Sequence, residues 1–265
     1  MRKNTIWLLI FGLCFAFLAD TGAKPRKKTR KRARTTRVVK RKRVRTPQRP
    51  PTIHENPYIV CEDTCTHVHG LDMSHYQGEV FWETVGEHSK MTYVYLKATE
   101  GSDRIDPLYE RNIDLAHRHG LKVGSYHFFR PATPLQEQLN NFMAQCLPGE
   151  QDLIPMLDVE TAGKLSNKAF CDSLQMFLNM LEDAYHQKPL VYTFRNFYNK
   201  HLVGKIDDYQ LMVAMYTDEP PVLADERDYI IWQYTCKGRI MGVSGLVDKS
   251  CLMGEHTLHE LRFMH

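Results

Sequence analysis

The stretch Ile154-Pro155-Met156-Leu157-Asp158-Val159-Glu160 decides the fold. It is a short apolar run that carries two acids at its end. Six residues on, Ser166 opens a second pattern in which Phe170, Leu174, Phe177, Leu178 and Leu181 share one side of a helix. Together they make one strand–helix unit. Working outward, similar runs rich in β-branched and aromatic residues stand at Val68–Met73, Thr92–Ala98, Lys122–Phe129, Leu190–Phe194, Leu211–Tyr216, Tyr229–Tyr234 and Leu246–Asp248. Asp106-Pro107 opens a further helix with Asp106 as N-cap, and Gly120 closes it. Alternation of strand and helix through the first five strands predicts a parallel α/β sheet. The gaps at 217–228 and 235–245 are acidic with Pro, and Gly-bearing, so neither reads as a helix. The expected fold is a single-domain, TIM-like α/β barrel of eight strands with helices after only the first five. An open doubly wound sheet is the alternative, and the lack of a phosphate-binding glycine motif after the first strand counts against it.

Charge is split along the chain. Residues 1–49 hold 17 Lys/Arg and one acid, Asp20, whereas residues 50–265 hold 18 Lys/Arg and 30 Asp/Glu and carry a net −12. A composition of 43% hydrophobic, 11% aromatic and 25% charged residues excludes a mainly disordered chain, a collagen-like chain and a polytopic membrane protein. Arg2 and Lys3 precede an apolar run from Ile6 to Ala19, the layout of an export signal over residues 1–23. The run is shorter than the ~20 residues a spanning helix needs. The 15 Lys/Arg between residues 24 and 49 favour retention on the cytoplasmic side, so an uncleaved anchor is the competing reading. Residues 24–57 read as a basic disordered linker and 58–265 as the folded body. No aromatic residue lies between 24 and 51, so the tail suits electrostatic tethering to anionic envelope polymers rather than specific nucleic-acid binding.

After Cys14 six cysteines remain, enough for three disulfides in an exported protein, with 15 full pairings open. Cys236 and Cys251 flank one short segment and are the first pair expected. Cys61-x-x-x-Cys65-x-His67-x-His69 matches no strong zinc spacing, so disulfide or free thiol is preferred over metal.

Four acids stand at strand ends: Asp72, Asp158, Glu160 and Asp248. In a parallel barrel, strand C-termini converge on one rim. Asp158 and Glu160 are two apart on a strand and share a face, so one should keep its proton at neutral pH. A protonated acid beside a carboxylate suits glycosidic cleavage. Any one acid could instead cap a helix or pair with a base; four together make that unconvincing. Lys97 and Glu100 add a charged pair at the same rim, whose plainer reading is a local ion pair shaping the loop. Tyr126, His127, Tyr192, Tyr216, Trp232 and Tyr234 are candidates for stacking on sugar rings, although alternation along each strand leaves only about half facing inward.

Six ordered motifs resemble glycoside hydrolase family 25, the lysozyme-like N-acetylmuramidases. They are Gly70-Leu-Asp-Met-Ser-His-Tyr-Gln-Gly78, Tyr95-Leu-Lys-Ala-Thr-Glu-Gly101, Gly124-Ser-Tyr-His-Phe128, Leu157-Asp-Val-Glu160, Ile231-Trp-Gln-Tyr234 and Gly245-Leu-Val-Asp248. The resemblance covers about 68–263. It implies a (β/α)5(β)3 barrel and hydrolysis of the β-1,4 bond between N-acetylmuramic acid and N-acetylglucosamine, with no metal or cofactor. It assigns the general acid to Glu160 and its partner carboxylate to Asp158, with Asp72 and Asp248 positioning sugar or water. Gln77 and Gln233 join the candidate sugar contacts. Where the family usually continues Leu-Asn after the last acid, this chain has Lys249-Ser250-Cys251, a departure expected to alter the outer rim. The expected partner is the peptidoglycan glycan strand, met by an exported monomer. A carbohydrate-binding protein with weak catalysis is the rival, and a nucleic-acid binder is disfavoured by the acidic body.

Overall fold

The computed structural model describes residues 67–265. The export segment, the basic tail, Cys61 and Cys65 lie outside the described residues. The strands are β1 (His69–Met73), β2 (Met91–Glu100), β3 (Arg104–Ile105), β4 (Lys122–Phe128), β5 (Met156–Asp158), β6 (Leu190–Phe194), β7 (Leu211–Ala214), β8 (Ile231–Gly238) and β9 (Val247–Leu252). The helices are α1 (Trp82–His88), α2 (Tyr109–Arg118), α3 (Leu135–Met143), α4 (Asn167–Tyr185) and α5 (Arg195–His201). The sheet runs β1-β9-β8-β7-β6-β5-β4-β2, and a β1–β2 pairing closes it into an eight-stranded barrel. Helices follow β1, the β2–β3 hairpin, β4, β5 and β6, and none stands between β7 and β9, as the sequence pattern predicts.

Local chemistry sets the element ends. The Ser166 side chain accepts from Ala169 N and starts α4, whose face of Phe170, Leu174, Phe177, Leu178 and Leu181 is buried. Asp106 does not cap by the simple route expected. The helix begins two residues later, at Tyr109, because Asp106 Oδ1 accepts from Leu108 N while Oδ2 is taken by His75. β5 is shorter than the apolar run, and its regular pairing ends at Asp158. Val159 N still donates to Tyr192 O, after which Glu160 leaves the sheet.

Two sequence readings are corrected. Asp248 does not end a parallel strand. β9 runs antiparallel to both neighbours, so Asp248 stands near its beginning, and the reversed direction delivers it to the same rim. The Lys249-Ser250-Cys251 departure therefore lies inside the strand rather than at the outer rim. Ser250 Oγ meets Tyr93 Oη at 2.9 Å within the barrel.

The expected Cys236–Cys251 disulfide does not form. Cys251 pairs in register with Trp232, four residues along β8 from Cys236. A register shift after Gln233 places Thr235 opposite Lys249, so Cys236 lies about three residues, roughly 10 Å, up the ladder from Cys251, beyond the ~7 Å limit for bridged Cα atoms.

Alternation along the strands fills the barrel. Tyr93 and Tyr95 are fully buried, and each lies where a Cβ on Gly70 or Gly124 would stand. Pairing a ring with a glycine on the adjacent strand lets two large side chains fit one narrow interior. Their hydroxyls are satisfied by Ser250 Oγ and by Ile154 O at 3.2 Å. This packed floor leaves the opposite end of the barrel open.

Candidate active site

Above the tyrosine floor, the C-terminal ends of the parallel strands surround a cleft of about 200 Å³. Asp72 from β1, Lys97 from β2, Tyr126 and Phe128 from β4, Met156 and Asp158 from β5, Tyr192 from β6, Gln233 from β8 and Asp248 from β9 line it, with Glu160 just past β5. Ser74, Tyr76 and Gln77 form one lip. Ser74 and Gln77 cap a short 3-10 turn reciprocally, and Gln77 Nε2 reaches Leu246 O at 3.4 Å, tying that lip to the loop before β9.

All four predicted acids therefore converge. Asp72 and Asp248 face each other in register across the β1–β9 pair. Burial is the main cause of each shift. It pushes Asp72 up to about 8, against the opposing hydrogen bond from Gln233 and with help from the charge of Asp248. It pushes Asp248 up to about 6. It also raises Asp158 well above the carboxylate range, with the charge of Glu160 adding to it and that of Lys97 opposing it. Glu160 is raised by burial and then by Asp248, while Lys97 and Arg130 pull it down. Repulsion between Asp158 and Glu160 is mutual, so the pair favours holding a proton. Asp72 Oδ1 and Asp158 Oδ1 are buried with no hydrogen-bond partner. Such oxygens are costly unless protonated, hydrated or met by a ligand.

One amide organises the far wall. Tyr192 Oη and Tyr216 Oη each donate to Gln233 Oε1 at 2.9 Å, and Gln233 Nε2 donates to Asp72 Oδ2 at 3.0 Å. The two hydroxyls fix which end of the amide faces Asp72. Tyr216 thus serves the site through Gln233 and does not line the cleft.

Three other expected contacts are displaced. His127 is fully buried on the opposite face of β4, between the rings of Phe142 and Phe177 at 5.5 and 5.6 Å. Gln138 Nε2 donates to two carbonyls, so its Oε1 accepts from His127 Nε2, and His127 Nδ1 accepts from Thr99 Oγ1 at 2.7 Å. Burial lowers this imidazole to about 4, and it stays neutral. Trp232 is also turned away, donating Nε1 to Met215 O at 2.9 Å. Glu100 does not reach the cleft either. Burial would raise it, but hydrogen bonds from Lys97 and Arg130 and their charges hold it at about 2. Glu100 is the local ion pair of the plainer reading, and its partner Lys97 is the side chain that faces the acids.

Sequence reasoning missed Phe128, Met156, Tyr76 and Arg130. Phe128 was recoverable, since it shares the inward face with Tyr126 by period two. Tyr76 is 79% exposed, an aromatic side chain left at the lip. Arg130 lies beyond β4 and carried no pattern. Its guanidinium stacks 4.4 Å from the centre of the Phe128 ring.

Glycosyl hydrolases family 25 matches the chain over residues 71–243. The chain belongs to this family. Its sequence relatives include YegX of Escherichia coli K12, 32% identical over 199 residues that span 74% of this chain and 72% of YegX. The autolytic lysozyme of Clostridium acetobutylicum is 31% identical over 179 residues, 68% of this chain and 54% of that enzyme. A family 25 glycosyl hydrolase from Bacillus anthracis superposes with a TM-score of 0.68 at 26% identity, covering 74% of this chain and 94% of that one. The fold is therefore the family 25 barrel, and the chain is a glycoside hydrolase of the lysozyme class.

The raised acid at β1 has a consequence for stability. A carboxyl held at about 8 when folded and near 3.8 when unfolded binds its proton more tightly in the native state. Its stabilising contribution is full below the unfolded value and is lost as pH rises through the folded one. Asp72→Asn mimics the protonated acid and keeps an acceptor for Gln233. The variant should gain stability over the wild type between pH 4 and pH 8 by more than about 1.4 kcal/mol, the equivalent of one pKa unit. Urea unfolding at several pH values reads this directly, and a pH-independent difference would show that Asp72 titrates normally.

Proposed function

We propose that this protein is a lysozyme that cleaves the β-1,4 bond between N-acetylmuramic acid and N-acetylglucosamine in peptidoglycan. The carrying observation is the convergence of Asp72, Asp158, Glu160 and Asp248 on one desolvated cleft, with two carboxylate oxygens left unpartnered. Glu160 is the general acid. It is less deeply buried than Asp158 and stands beyond the strand end, where a leaving-group oxygen can approach. A proton kept by burial and by neighbouring negative charge is available to the glycosidic oxygen at neutral pH.

Asp158 is the partner. Its unpartnered Oδ1 suits the N–H of the substrate's own acetamido group, which then stabilises the cationic sugar from within the substrate. The alternative is activation of a water by a carboxylate. Asp72 and Asp248, facing each other, position the sugar or that water. Gln77, Tyr126 and Tyr192 supply polar tips and ring faces to the saccharide, and Tyr76 adds an exposed ring at the lip. A protein that binds the glycan with little catalysis is the rival reading.

Glu160→Gln should reduce the lysis of purified peptidoglycan by ~10²–10⁴-fold while leaving saccharide binding and thermal stability near wild type. Turbidity loss with identification of the new reducing ends measures it, and activity within a few-fold of wild type would move the acid elsewhere. Asp158→Asn should lower the rate and also shift the alkaline limb of the pH profile downward. Glu160 then loses a like-charged neighbour and gives up its proton sooner. An unmoved limb would leave Asp248 as the neighbour that sets it.

The basic segment before the barrel localises the enzyme rather than serving the chemistry. An acidic cleft on a body of net −12 is repelled by anionic envelope polymers, and 15 Lys/Arg between residues 24 and 49 offset that repulsion. The reading implies export and action at the cell envelope. A chain starting at Pro51 should keep its rate on soluble muropeptides and lose binding to whole sacculi at low salt. The loss should vanish when the Debye length falls to ~3 Å at about 1 M salt. A slower rate on soluble fragments would instead place the segment in the site.

A further inference from the structure

The hairpin of β2 and β3 builds a cationic corner beside an otherwise acidic cleft. Glu100 Oε1 accepts from Arg104 Nη1 at 2.7 Å and from Arg130 Nε and Nη2 at 3.1 and 2.6 Å, and Glu100 Oε2 accepts from Lys97 Nζ at 2.7 Å. Three cations thus share one carboxylate, and with Asp103 of the hairpin turn counted the corner still carries a surplus of positive charge. Lys97 is buried, but Arg104 is 72% exposed and Arg130 43%. Arg104 Nε and Nη2 and Arg130 Nη1 have no partner among the described residues, so each guanidinium keeps donors for a ligand.

The corner is fixed in place and adjoins the cleft. Asn141 Nδ2 donates to Gly101 O at 2.9 Å and to Arg104 O at 3.2 Å, which clamps the hairpin to α3. Gly101, at φ +57, makes the turn that a side chain would strain. Arg130 stacks on Phe128, and the Phe128 ring lines the cleft. The charge of Arg130 is also felt at Glu160.

Arg104 is the most exposed of the three cations and is not among the leading charges acting on Asp158 and Glu160. We propose that Arg104 and Arg130 form a carboxylate-binding subsite at the edge of the cleft, which recognises the acidic substituent of the muramic acid residue. Guanidinium groups suit this because their planar donor pairs match a carboxylate. Two sources carry that chemistry in the substrate: the lactyl carboxylate of an unsubstituted muramic acid, or a carboxylate of the attached peptide stem. The inference rests on the muramidase reading. It adds that the enzyme tells its substrate from a neutral N-acetylglucosamine polymer by charge at this corner.

Calorimetric binding of the full chain to three soluble ligands tests it. The ligands are a peptide-free glycan tetrasaccharide with free lactyl carboxylates, the same glycan bearing peptide stems, and chitotetraose. The basic segment is present in every variant, so its contribution cancels in the comparison. Arg104→Gln should weaken binding of one or both anionic ligands about tenfold, the scale of a lost charged hydrogen bond, and leave chitotetraose within twofold. Arg104→Lys should restore part of the loss. Weakening confined to the stem-bearing glycan would assign the peptide carboxylate, weakening confined to the peptide-free glycan would assign the lactyl carboxylate, which the stem's amide bond otherwise consumes, and weakening of both would show that the corner accepts either carboxylate. Equal loss on chitotetraose, or no loss on either anionic ligand, overturns the subsite. A wild type that neither binds nor cleaves any of these glycans would instead overturn the muramidase reading.

Discussion

β9 closes the barrel by pairing antiparallel with β1 on one side and β8 on the other. The site depends on that closure. It sets Asp248 opposite Asp72, and on the other side of β9 it seats Gln233 opposite Ser250. Two acids brought face to face away from water cannot both ionise cheaply, so the closure also loads the cleft with protons. The energy for this comes from elsewhere in the barrel. A buried floor of Tyr93 and Tyr95, and helices packed outside the parallel strands, stabilise a rim that burial of charge destabilises.

The fold was largely legible because its signals are local. The period of the α4 face, the Ser166 cap and the spacing of apolar runs each follow from a few neighbouring residues. The missing helices after β7 and β8 were legible too, from proline and glycine in the gaps. The direction of β9 was not. A short apolar run with an acid looks alike read either way, and only its two neighbours fix the orientation. β3 was hidden because two residues carry no period, and it is defined by pairing of Arg104 with Glu100 and of Ile105 with Thr99.

The acids were legible as a set since strand ends converge in any such barrel. Their neighbours were harder. His127 and Trp232 drew notice as chemistry-bearing residues, yet each occupies the outward phase of its strand, where the inward neighbours Phe128 and Gln233 meet the cleft. Parity along the strand was the better guide than side-chain type. Arg130 and the cysteine offset required three-dimensional registers that no spacing supplies. Cys236 and Cys251 are close in sequence across a hairpin but displaced along its ladder.

The β2–β3 hairpin stands outside the closed ring. β3 pairs with β2 alone, at the end of a strand ten residues long. Its contacts run to α3 and to the Glu100 cluster, while the eight-strand ring is complete without it. Sequence drift there is uncoupled from barrel closure. A lineage could lengthen the turn, exchange Arg104 or reverse the local charge and still inherit an intact set of acids. The corner and the acids are therefore structurally separable, and a change at the hairpin leaves the ring that presents the acids intact.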